Sequence, residues 1–244
     1  GTLATLYPNR IDLGLGRAPG SDMATAQALR RHMKSADNFP NDVTELLSYF
    51  SDAGYDGCVQ AIPGMGTNVP VWILGSSLYG AQLAAHFGLR YAFASQFAPA
   101  MLEQAVSIYR RSFRPSVYLT KPYVVIGVGV CAAETDEEAT FLRSSQILAF
   151  ARLMSGKPGK LPAPRDQNNL EVPMHIMAQV EQSLSCLATG SAKTIEKQLS
   201  ELIKTISPDE LMVTGMIHDH HARVRSFGIA SEVLSGLCAK PVET

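Results

Sequence analysis

Neither sign of charge dominates this sequence. It carries 21 Lys and Arg against 22 Asp and Glu, a net charge of −1, with 18% charged residues in all. Without a basic excess, nucleic acid is not an expected partner. No apolar run approaches the ~20 residues needed to cross a bilayer, so no membrane span is expected. The first residues, GTLATLYPNR, show neither a charged leader region nor a cleavage pattern, so secretion is not expected and a cytoplasmic location is. Cys58, Cys131, Cys186 and Cys238 are widely spaced, with no C-x-x-C. This usage fits reduced thiols better than a disulfide framework or a zinc site. There is no G-x-S-x-G elbow and no Walker loop, so neither a serine hydrolase nor a P-loop nucleotidase is indicated.

What is present is 46% hydrophobic residues over 244 positions, enough for a full core in one domain, and we read residues 1–244 as such. Apolar runs with strand character alternate with helical periodicity. Arg10–Gly16, Pro70–Leu74, Tyr91–Ser95, Tyr123–Ala132 and Glu210–Thr214 read as five strands. The helices between them carry apolar stripes: Ala26, Leu29 and Met33; Leu46, Leu47 and Phe50; Leu78, Leu83, Ala84 and Phe87; Leu102, Val106, Tyr109 and Phe113. Asp42 with Glu45, and Thr135 with Glu138, have capping-box spacing. Ser77 is placed to cap the helix after Pro70–Leu74, and Gly88 to end it in the left-handed conformation. Gly156–Asn169 (GKPGKLPAPRDQNN) has no periodicity and reads as an exposed loop. Strands alternating with helices mean a parallel sheet. Five strands suit either an open doubly wound sheet or a (β/α)8 barrel lacking three units, and periodicity does not choose.

Two strand-to-helix turns carry the chemistry. Gly14-Leu15-Gly16-Arg17-Ala18-Pro19-Gly20 has one residue too many for a dinucleotide fingerprint, and Pro19 removes an amide that a pyrophosphate would use. It reads either as a turn aiming Arg17 at an anion or as a tight turn with a solvated arginine. Gly75-Ser76-Ser77 follows a buried strand and opens a helix, where free N–H groups and the helix dipole favour a phosphate; plain N-capping by Ser77 is the alternative. Parallel strands put their C-terminal ends on one rim, so Arg17 and Ser76-Ser77 can face one ligand. In His218-Asp219-His220-His221 two histidines share a helical face, but no further ligand is spaced to help. We read these as polar residues at a helix start rather than a metal site. A catalytic or substrate-contacting role stays open for His218, because strand ends in barrels carry active sites. Trp72 reads as core.

The segments LYPNRIDLGLGRAPGSD, FPNDVTELLSYF, VPVWILGSSLYGAQLAAHFGLRYAFAS and ELMVTGMIHDHHARVRS, in this order, resemble the bacterial luciferase-like monooxygenases, nearest to the FMN-dependent, alkanal-monooxygenase-like group. The resemblance covers essentially the whole chain. It implies a TIM (β/α)8 barrel of luciferase-like type, here with five core strands and the first three strand–helix units missing, roughly 90 residues. It implies that reduced FMN, delivered by a separate flavin reductase, binds at the C-terminal rim and uses dioxygen to oxidise a small organic substrate such as an aldehyde. Arg17, Gly75, Ser76 and Ser77 would hold the flavin phosphate, no metal is required, and a homodimer is expected. The family's catalytic histidine would lie in the missing part, so no catalytic residue is carried over. Luciferase has an acidic residue at the position of Ser76 and a cysteine at that of Gly16, so light emission is not expected. By its position, the 156–169 loop is expected to act as a lid; a plain surface insertion is the alternative. Other readings are a flavin-binding protein without turnover, and a barrel fragment that needs another chain or its missing part.

Overall fold

The computed structural model describes residues 1–17, 23–28, 38–52 and 59–239. The chain divides into two compact units, Gly1–Ala92 with Gln104–Tyr123, and Phe93–Glu103 with Val124–Thr244. Among the described residues the helices are α1 (Thr2–Leu6), α2 (Met23–Ala28), α3 (Phe39–Phe50), α4 (Leu78–Phe87), α5 (Leu102–Ser112), α6 (Asp136–Met154), α7 (Met174–Ser183), α8 (Ala192–Ile206) and α9 (His220–Ala239). The strands are β1 (Leu13–Gly16), β2 (Val71–Gly75), β3 (Arg90–Phe93), β4 (Val124–Ala132), β5 (Leu187–Gly190) and β6 (Glu210–Thr214). The fold is α/β, and the pairings β1–β2, β4–β5 and β4–β6 are all parallel.

In the first unit, β1 runs beside β2 with Leu13 opposite Val71 and Gly16 opposite Leu74. Val71, Trp72 and Ile73 are buried, as a parallel strand covered on both faces requires. Trp72 is core, and its indole N–H donates to Asp12 Oδ2 at 2.8 Å. The Arg90 guanidinium lies over the Trp72 and Tyr123 rings, 5.3 and 5.5 Å from their centroids. The Tyr109 hydroxyl reaches from α5 to the Leu89 carbonyl at 2.8 Å, satisfying a polar group inside the core. α4 ends at Gly88 with φ 61°; a Cβ there would lie 2.3 Å from the Arg114 carbonyl oxygen, so both conformation and space demand glycine.

The spine of the second unit is β4, all nine residues of which are buried. β6 pairs with its first half, Val125–Gly129, and β5 with its second, Gly129–Ala132. Asp209 ties the start of β6 to that of β4, its carboxylate accepting from Val124 N–H at 2.7 Å. On α9, Ser226 is fully buried and its hydroxyl accepts from Ala132 N–H at 2.8 Å. A cluster of Ile147, Ala151, Leu170, Val180 and Leu184 joins α6, α7 and the end of the 156–169 loop.

The five expected strands are present, each one to three residues shorter or displaced at an end, apart from β6, which has the expected bounds. β5 is an addition to them. LATG is too short to show alternation, and only its pairing with β4 makes it a strand. Thr135 caps α6 as its spacing implies, its hydroxyl accepting from Glu138 N–H at 3.1 Å. Asp42 does not cap α3. The helix starts earlier, at Phe39-Pro40, because proline suits a first turn, and Asp42 instead accepts from the Asn38 side chain at 2.7 Å. The turn at Ala18-Pro19-Gly20, Leu29, Met33 and Cys58 lie outside the described residues. No described helix is long and apolar enough to cross a membrane.

Candidate cofactor-binding site

The register of β1 and β2 decides where the two turns meet. With Gly16 opposite Leu74, the strands end side by side, and Arg17 and Gly75 leave the sheet on the same rim. Arg17 is exposed and its Cζ lies 4.2 Å from the centre of the Tyr79 ring. Tyr79 is the second residue of α4, so the cation rests over the first turn of the helix that starts at Ser77.

That helix start has unspent donors. Ser77 sits at the N-cap with extended backbone, φ −139° and ψ 165°, as the sequence implies, yet its hydroxyl makes no capping bond. No acidic residue occupies the first turn of α4. Among the described residues the first N–H groups therefore have no side-chain acceptor, and no acidic residue of α4 itself offsets the positive end of the helix dipole. The Tyr91 hydroxyl donates to the Ser77 carbonyl at 3.4 Å and braces the turn from beneath. Tyr91 is buried, and burial pushes its phenol pKa upward, which keeps it a neutral donor.

The Arg17 guanidinium thus lies over the first turn of α4, a turn that holds no acidic residue and is preceded by Ser76 and Ser77. This donor set fits a phosphate dianion. Sequence reasoning brought Arg17, Gly75, Ser76 and Ser77 together but missed Tyr79 and Tyr91. Tyr79 had one available signal, its place two residues after the cap, which sets it on the first turn facing the rim.

The histidines after β6 assemble differently. His218, His220 and His221 are exposed. His220 Nδ1 lies 3.0 Å from Arg223 Nη2, and the Asp219 carboxylate accepts from Ala222 N–H at 2.7 Å. That bond, foremost, holds the Asp219 carboxyl below its ordinary pKa. Asp219 thus caps the start of α9, and among the described residues no group of three or more His, Cys, Asp or Glu side chains could hold a metal ion.

The model of the luciferase-like monooxygenase family matches residues 1–207. The chain belongs to this family. A luciferase-like monooxygenase of Escherichia coli is 47% identical over 234 residues, which are 96% of this chain and 70% of the relative. The Bacillus subtilis protein YvbT, itself uncharacterized, is 44% identical over 235 residues, again 96% and 70%. Among solved structures, apo-MsnO8 has a TM-score of 0.81 at 30% identity, covering 96% of this chain and 71% of that one. The oxygenating constituent of 3,6-diketocamphane monooxygenase, solved in complex with FMN, shares the fold alone: TM-score 0.59 at 12% identity, covering 96% and 72%. The family barrel is a TIM-type α/β fold, and the parallel strands seen here are part of it.

Proposed function

We propose that this protein is a flavin-dependent monooxygenase that binds reduced FMN through its phosphate at the β1–β2 rim. The observation that carries this reading is Arg17 lying over the first turn of α4, beside a Ser77 hydroxyl that caps nothing. The guanidinium would neutralise the phosphate, the α4 amides and the Ser76 and Ser77 hydroxyls would donate to its oxygens, and Gly75 lets the chain turn into that cradle. When bound, reduced flavin supplies the electrons that activate dioxygen for oxidation of a small organic substrate, an aldehyde being one candidate. The protein's part is to bind, orient and exclude water. The family and the fold relative solved with FMN support this cofactor class. A separate reductase would deliver the flavin, and a homodimer would be the working form.

The deciding experiment is titration with reduced and oxidised FMN, read by flavin fluorescence. Losing a charged hydrogen-bond partner costs about 1.5–3 kcal/mol, so Arg17→Ala should weaken binding roughly ten- to a hundredfold. Equal affinity for wild type and variant would remove Arg17 from the site.

A further inference from the structure

Among the described residues no strand pairs with the outer edge of β5. Successive residues of a strand aim their N–H and C=O groups to opposite sides, and Gly190 uses its carbonyl to accept from Ala133 N–H at 3.2 Å, on the β4 side. The groups of Thr189 therefore face outward. They are met by one side chain. Thr189 N–H donates to Gln198 Oε1 at 2.9 Å, and Gln198 Nε2 donates to the Thr189 carbonyl at 3.1 Å. Both bonds that a neighbouring strand would make are made by one primary amide. Gln198 is a half-buried polar residue on the α8 face whose apolar stripe is Ile195 and Leu199. An aliphatic residue would serve that stripe as well but could not meet the edge.

On the same side Leu187 N–H is taken by the Leu184 carbonyl at 2.9 Å, and among the described residues no strand lies along this edge. A cavity of about 770 Å3 runs beside it, lined by Leu187, Thr189 and Gln198 together with Leu102, Arg143 and Leu202. A further strand needs only about 4.8 Å of lateral room, and an unpaired edge with room beside it is a template for another chain. We propose that Gln198 ends the sheet at β5: its amide stands in for the next strand and keeps this edge from pairing with a second copy of the protein. The inference does not depend on flavin binding.

Two variants test it, by hydrogen exchange at the Thr189 amide and by sedimentation velocity over a concentration series. Gln198→Met keeps the length of the stem but neither hydrogen bond. The Thr189 amide should exchange roughly tenfold faster, and the protein should self-associate at concentrations where wild type does not. Gln198→Glu keeps the acceptor and places a charge at the edge, so it should retain protection and remain unassociated. Unchanged exchange in Gln198→Met would overturn the proposal, as would faster exchange without added association. Should Gln198→Met fail to fold, Gln198→Glu decides: protection without association supports the idea, and association sinks it.

Discussion

The Arg17 guanidinium and the Tyr79 ring, 62 residues apart in sequence, stack at 4.2 Å. Arg17 is thereby held at the rim before any ligand arrives, since a cation over an exposed aromatic face gains about 0.5–1 kcal/mol. Tyr79→Ala should lose this preorganisation and weaken FMN binding by roughly two- to fivefold, while Tyr79→Phe, which keeps the ring, should bind like wild type. If Phe were as weak as Ala, the hydroxyl rather than the stack would matter. Fluorescence titration separates the two.

Gly190 has φ 143°, and a Cβ there would lie 2.6 Å from Thr194 Cγ2 and 2.7 Å from Asp136 Oδ1. Gly190→Ala should therefore destabilise the second unit by at least about 1–3 kcal/mol, because it combines a disfavoured conformation with displacement of Asp136. Chemical denaturation gives the value; a change under half a kcal/mol would contradict this account.

Asp136, in the first turn of α6, accepts from Ser191 N–H at 2.6 Å and from the Thr194 hydroxyl at 3.0 Å, joining the starts of α6 and α8. The bonds from Ser191, its backbone N–H foremost, and that from Thr194 lower its pKa below the ordinary 3.8. A carboxyl with a depressed folded pKa stabilises the fold above its unfolded pKa, and this is lost as pH falls through the folded value. The stability difference between wild type and Asp136→Asn should be constant from pH 7 to 5 and should shrink below 3.8. Denaturation midpoints across that range check it. A difference that grows as pH falls would show the sign to be wrong.

The 156–169 loop is anchored at both ends. Lys157 N–H donates to the Arg152 carbonyl at 2.9 Å, Arg165 N–H to the Ser144 hydroxyl at 2.8 Å, and Leu170 is buried in the α6–α7 cluster. Residues 158–164 span the gap between the anchors. The expectation, read from the sequence, that this span acts as a lid predicts that it can be removed without unfolding. Replacing 158–164 with a short glycine linker should then raise hydrogen peroxide release per reduced FMN consumed, while thermal stability holds. Unchanged coupling would reduce the loop to a surface insertion.

How much of this was legible depended on the range of each signal. The nine-residue run of β4, the Thr135 cap and the Gly88 stop are written within a few neighbouring residues, because burial on both faces, an N-cap and a left-handed turn are local demands. The Asp42–Glu45 spacing did not mark the start of α3, because Pro40 lets the helix begin at Phe39 and Asp42 falls inside its first turn. The candidate site was legible as two anion-friendly turns, each weak alone, at strand ends that a parallel sheet puts on one rim.

Taken by itself, the sequence determined the alternation of strands and helices, and with it a parallel α/β fold, together with the residue types at each strand end. Only the tertiary structure decided that Leu187–Gly190 is a strand, since four residues gain their ladder from β4 on one side and from the Gln198 amide on the other. It also decided that Arg17 meets the start of α4. That meeting follows from a register, Gly16 opposite Leu74, which is set by hydrogen bonds between strands more than fifty residues apart and leaves no mark in either segment read alone.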